Sequence, residues 1–73
     1  MSTYEAKSEV TGSVWKILVA VGEHTDRDAA ILIVESMKME IPVLARQGGT
    51  VQALLVNEGE TVAEGQPVAR LVT

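Results

Sequence analysis

The two halves of this chain carry one pattern, and that repetition restricts the fold more than any other feature. At an offset of 37 residues, Gly12-Ser13-Val14-Trp15-Lys16-Ile17-Leu18-Val19 lies over Gly49-Thr50-Val51-Gln52-Ala53-Leu54-Leu55-Val56. The register continues without a gap, so that Gly22-Glu23 falls on Gly59-Glu60 and Ile31 on Val68. A solenoid needs at least about three copies to bury a continuous core. Two copies in 73 residues instead predict pseudo-twofold halves of one closed fold. The joint between them, Glu35-Ser36-Met37-Lys38-Met39-Glu40, occurs only once.

Each half has the same grammar: a short extended segment, a glycine turn, an alternating strand, a Gly-Glu turn and a second strand. Val14, Lys16, Leu18 and Ala20 are expected on one face of a strand, with Trp15, Ile17, Val19 and Val21 on the other. Gly12 and Gly49 stand just before strands, where a positive φ suits glycine, and Gly22, Gly59 and Gly65 open turns in the same way. No helix follows any of these glycines and their spacing fits neither dinucleotide nor Walker patterns, so no phosphate loop is implied. A helix capped by Asp28 and running through Ala29 to Lys38 is the local rival. Its continuous, β-branched apolar run, with Pro42 close behind, favours a buried strand. Pro42 has no N–H to give a ladder, which predicts an edge strand or a bulge. Hydrophobic residues make up 47% of the chain but aromatics only 3%, so the core must be Val, Ile, Leu and Ala. These features predict an all-β domain over residues 1–73, a flattened barrel or sandwich, with residues 1–4 as a loose tail.

Around the joint, Ile31-Leu32-Ile33-Val34 approaches and Ile41-Pro42-Val43-Leu44 leaves the same polar point. That arrangement reads as a β-hairpin with Lys38 at its tip. A lysine amine in water is almost wholly protonated at neutral pH and catalyses little unaided. Held on a rigid turn away from the core, it is better suited to be acylated by another enzyme, the acyl group then hanging from a long flexible stem. The competing reading is an ordinary solvated turn lysine, with Met37 and Met39 packed against the sheets.

The inventory argues against an active site of the chain's own. The single histidine, His24, falls in the charged run Glu23-His24-Thr25-Asp26-Arg27-Asp28 with no evident orienting partner. Asp26 and Asp28 around Arg27 lack the ligand count of a calcium loop. There is no cysteine, hence no disulfide, thiolate chemistry or sulfur-bound zinc, which fits a reducing cytoplasm. A net charge of -4, with Lys and Arg scattered singly and not interleaved with Tyr4 or Trp15, opposes nucleic-acid or anionic-membrane binding. The N-terminus has no apolar run behind a basic start, so neither a signal peptide nor a membrane span is expected there.

Glu35-Ser36-Met37-Lys38-Met39-Glu40-Ile41 closely resembles the attachment motif of biotinyl domains, those of biotin carboxyl carrier proteins and biotin-dependent carboxylases, whose signature is Ala-Met-Lys-Met. Ser36 replaces the alanine, a small-for-small change. Around the second half, Gly59, Glu60, Val62, Gly65, Gln66 and Val68 follow the biotinyl/lipoyl pattern. The first half departs from it, with Thr25 in place of valine and Asp28 in place of glycine, which predicts a longer or differently shaped loop there. The likeness spans roughly residues 5 to 73, and the loop is too short for the protruding thumb of some relatives.

The resemblance implies a barrel-sandwich hybrid and a non-catalytic carrier. Lys38 would be joined by an amide to biotin by an ATP-using biotin protein ligase, with Glu35, Ser36, Met37, Met39 and Glu40 as recognition residues. The partners implied are a biotin carboxylase, which loads the tethered ring, and a carboxyltransferase, which passes the carboxyl group to an acyl-CoA or similar acceptor. Such modules usually close a longer protein, so the chain reads equally as a dedicated small subunit or an excised domain. Two alternatives stand beside this reading. One is a lipoyl carrier of a dehydrogenase or glycine-cleavage complex, for which the motif would be Asp-Lys-Ala. The other is an unmodified β interaction module.

Overall fold

The computed structural model describes residues 2–73 and is all-β over that range. Its strands are β1 (Thr3–Lys7), β2 (Gly12–Ile17), β3 (His24–Thr25), β4 (Ala30–Ser36), β5 (Met39–Leu44), β6 (Gly49–Leu54), β7 (Thr61–Val62) and β8 (Pro67–Val72). They form two antiparallel four-stranded sheets, β1-β8-β6-β3 and β5-β4-β2-β7. The chain is a sandwich rather than a closed barrel, since no ladder joins the edge strands β1 and β5. The rival helix is absent from the described residues: Ala30–Ser36 is a strand, covered by β2 and β5 on its two sides. Pro42 lies in β5, at the edge of its sheet, where its missing N–H breaks no second ladder. Among the described residues no helix is long and apolar enough to cross a membrane.

The 37-residue offset is written into the backbone hydrogen bonds. Gly22 N–H donates to Val51 O at 2.8 Å and Gly59 N–H to Val14 O at 2.7 Å, each half closing its loop on the other half's strand. Leu18 N–H to Ile31 O and Leu55 N–H to Val68 O, both 2.9 Å, repeat in the same register. Ladder pairs agree: Val14 opposes Val34 as Val51 opposes Leu71, and Ile17 opposes Leu32 as Leu54 opposes Ala69. The core follows the same equivalence, with Val14, Ile31, Val34, Val51, Val68 and Leu71 all buried. Each such aliphatic side chain contributes roughly 1.5–3 kcal/mol by leaving water.

Four expectations need correction. Of the expected loose tail 1–4, residues 2–4 are held in place: Thr3 and Tyr4 pair with Val72 and Leu71, and Thr73 N–H donates to Ser2 O at 2.8 Å. Only Met1 lies outside the described residues. The strand from Val14 does not alternate through Val21, because β2 ends at Ile17 and is bulged at Trp15. The extra residue puts both Trp15 and Lys16 outside, and Gln52 occupies the same bulge in β6. Gly12 and Gly49 are strand residues without positive φ. They are needed because a Cβ would strike backbone, the Glu35 carbonyl oxygen at Gly12 and Val72 O, 2.7 Å away, at Gly49.

The fourth correction concerns the first-half loop. Asp28 takes φ 68, close to the φ 84 of its counterpart Gly65, so the turn keeps its shape without glycine. Asp tolerates this left-handed region better than most residues. Matching turn bonds bear this out, Ala29 N–H to Asp26 O at 3.1 Å and Gln66 N–H to Ala63 O at 3.0 Å. Thr25, where the second half has Val62, is buried, and its hydroxyl reaches Gly49 O at 3.4 Å.

Candidate functional site

The hairpin between β4 and β5 closes through only two residues. Ser36 pairs with Met39, and Met37 and Lys38 make the turn with φ 50 and 67. Positive φ at both central positions is the mark of a type I′ turn, whose twist matches the flanking strands and which favours Asn and Gly. Placing Met and Lys there costs on the order of 1–2 kcal/mol per residue. Strain of this kind persists only where surrounding structure enforces it.

The enforcement comes from the base of the turn. Ser36 Oγ–H donates to Thr11 O at 2.9 Å, and Glu64 N–H donates to Thr11 Oγ1 at 3.1 Å. Thr11 thereby joins the hairpin to the turn before β8. On the far side of Thr11, Gly65 N–H donates to Ser8 O at 2.7 Å and the buried Ser8 hydroxyl donates to Val10 O at 2.6 Å. Ser36 is therefore a brace as well as a small residue. Thr11 carried no motif signal, because its partners are 25 and 53 positions away.

The turn itself is bare. Lys38 is exposed, Met37 is 93% exposed and Met39 61%. The methionines therefore do not pack against the sheets, which removes the reading that made them core residues. Glu35 and Glu40 face each other across the strands, and among the described residues neither they nor Lys38 joins an ion pair. Like charges directly opposite are unfavourable, so this acidic pair is not there for stability. The structure thus brings Glu35, Ser36, Met37, Lys38, Met39 and Glu40 together on one hairpin end.

The turn projects from the sheet with Met37, Lys38 and Met39 all exposed. A cleft of about 230 Å³ runs elsewhere, along the seam of β1 and β5, lined by Tyr4, Lys7, Pro42, Leu44 and Arg46 among others. His24 is exposed at the start of the two-residue β3, 3.6 Å from an exposed Asp26 carboxylate. Among the described residues no group of three or more His, Asp or Glu could hold a metal ion. At the turn the exposed amine of Lys38 is the group that can form a covalent bond.

Comparison with known proteins agrees with this geometry. The family described as biotin-requiring enzyme, the biotin/lipoyl domain, matches residues 3–71. A biotin/lipoyl attachment protein of Bacillus subtilis is 36% identical over 63 residues, 86% of either chain. A biotinylated protein TB7.3 homolog of Mycobacterium leprae is 34% identical over 65 residues, 89% of this chain and 92% of its own. The crystal structure of the Kluyveromyces lactis urea carboxylase superposes with a TM-score of 0.93 at 36% identity, over 99% of this chain and 6% of that one. With a matching family over nearly its whole length and a matching fold, this chain belongs to the biotin/lipoyl attachment domain family.

Proposed function

We propose that this protein is a biotin carboxyl carrier, with biotin joined to Lys38 by a biotin protein ligase. One observation carries the reading: Lys38 stands on a strained two-residue turn between two methionines that are exposed and take no part in the core. The amide forms between Lys38 Nζ and the biotin carboxyl group. ATP supplies the activation and leaves as AMP and pyrophosphate, and the amine gives up its protons to solvent. Once attached, biotin supplies a ureido nitrogen that accepts and releases a carboxyl group.

The chain's own residues position and present. Met37 and Met39 offer soft apolar contacts to the ligase, Glu35 and Glu40 offer paired negative charge, and Ser36 holds the turn through Thr11. The rigid hairpin carries the group between a biotin carboxylase and a carboxyltransferase of a biotin-dependent carboxylase, with an acyl-CoA as acceptor. Tethering replaces diffusive encounters by local ones at high effective concentration. No catalytic role falls to this chain. Dependence on an ATP-using ligase and the absence of cysteine fit a cytoplasmic protein.

The test is the intact mass of the protein co-expressed with a biotin protein ligase, beside Lys38→Ala. One biotinyl group on the wild type and none on the variant is the expected result. A lipoyl group in its place would move the protein to the lipoyl carriers. An unmodified wild type would leave an interaction module.

A further inference from the structure

We propose that the outer face of β2, β4 and β5 is the docking surface for the ligase that modifies Lys38; this rests on the attachment role proposed above. The starting observation is a difference between two faces that the backbone makes alike. Pseudo-twofold equivalence puts Trp15, Ile33, Pro42 and Leu44 on the hairpin-bearing sheet where the other sheet has Gln52, Arg70, Glu5 and Lys7, while Lys16 against Ala53 and Glu35 against Val72 run the other way. The second set suits a sheet facing water, and Arg70 Nη2 meets Glu5 Oε2 across it at 3.3 Å. The first leaves Trp15 49% and Leu44 48% exposed, Pro42 exposed and Ile33 half-buried. Because the same backbone is built with polar residues in the other sheet, folding does not require the apolar set. Contact with a partner does.

Three features select that partner. First, the apolar row belongs to the sheet that bears the lysine turn and is missing from its twin. Second, it lies close to the tip. The pairs run Ser36–Met39, Glu35–Glu40, Val34–Ile41 and Ile33–Pro42, and three steps of about 3.3 Å put Ile33 and Pro42 roughly 10 Å below the turn, with Leu44 two residues further along β5 at roughly 17 Å. An enzyme that acylates Nζ must seat its active centre on the tip itself. A standard footprint of about 800 Å² reaches roughly 16 Å from its centre and so covers Trp15, Ile33 and Pro42, with Leu44 at its rim. Enzymes that act on a group at the end of the lysine stem are not held so near. Third, Glu35 and Glu40 lie between the apolar row and the turn on this face. The complementary surface is therefore apolar, with basic side chains on its side nearest the lysine.

The experiment gives one face the chemistry of the other. Trp15→Gln, Ile33→Arg and the double variant, with Gln52→Ala as a control on the twin face, are checked for folding by thermal unfolding. Each is then titrated against purified biotin protein ligase with biotin and ATP. The double variant is expected to raise KM for the carrier by about tenfold, as removal of central interface anchors does, with kcat within about twofold of wild type. Gln52→Ala should match wild type. A folded double variant with unchanged KM overturns the docking face and leaves the attachment role standing. If Ile33→Arg does not fold, Trp15→Gln decides alone, since its site is an exposed bulge; about a threefold rise supports the proposal and no rise overturns it. If the wild type takes lipoate instead, the same comparison with a lipoate ligase carries the same expectation. A wild type modified by neither ligase removes both readings.

Discussion

The Ser36 hydroxyl donates to the Thr11 carbonyl oxygen at 2.9 Å, tying the base of the lysine turn to the loop before β2. Ser36→Ala removes this bond and leaves an acceptor that water can still reach. The expected loss is about 0.5–1.5 kcal/mol in urea unfolding, with modification of Lys38 retained. A loss of biotinylation in a folded Ser36→Ala protein would show that modification needs the Ser36 hydroxyl, through the brace or by ligase contact, and Thr11→Ala, which keeps the Ser36 acceptor, would serve as its comparison.

Gly12→Ala should be harsher. The added Cβ meets the Glu35 carbonyl oxygen and Val34 Cγ1, the latter at 2.9 Å, and neither belongs to a flexible chain end. Overpacking of this kind costs typically about 1–3 kcal/mol. Gly49→Ala meets Val72 O at 2.7 Å and should cost a similar amount. The two differ in modification kinetics: Gly12→Ala displaces the strand that leads into Lys38 and slows biotinylation, whereas Gly49→Ala does not.

Met37→Gly relaxes a left-handed position, Met37 having φ 50. The hairpin should gain up to about 1 kcal/mol, read as a rise in Tm. Biotinylation should become slower at the same time, because the exposed thioether is gone. A variant that is more stable and equally well modified would show that Met37 is not read by the ligase.

Asp28 provides an internal control on backbone strain. Asp28→Gly copies the residue at the equivalent Gly65 and should stay within about 1 kcal/mol of wild type. Asp28→Val places a β-branched side chain at φ 68 and should destabilise by at least about 1–2 kcal/mol. Denaturant midpoints of the pair distinguish a conformational requirement from a role for the carboxylate.

Much of this architecture was legible because the chain writes its plan twice. An ungapped 37-residue register is enough to match β2 with β6 and β4 with β8, and a motif present once marks the turn. The bulges at Trp15 and Gln52 were not legible, since an inserted residue leaves the local apolar pattern unchanged and shows only against its partner strand. Pairing of Thr3 and Tyr4 with Val72 and Leu71 was hidden for a similar reason, being a contact between the two extremes of the chain. The glycines at 12 and 49 were singled out but assigned the wrong cause: steric approach of a neighbouring backbone has no signature distinct from a turn. At the site, the residue types of the hairpin were readable, but the brace through Thr11 and the exposure of Met37 and Met39 needed coordinates.

Pseudo-twofold equivalence gives the lysine turn a counterpart, the place where Thr73 N–H meets Ser2 O. β2 starts beside the turn at Gly12, and the chain then travels the length of the sandwich until Thr25 pairs with Gly49 near that second pole. The molecule measures 36 × 17 × 16 Å, so it is a short rod, with the exposed Lys38 turn at one pole and the Ser2–Thr73 contact at the other. The amine therefore stands as far from that contact as the fold allows, close to the full 36 Å of the long axis.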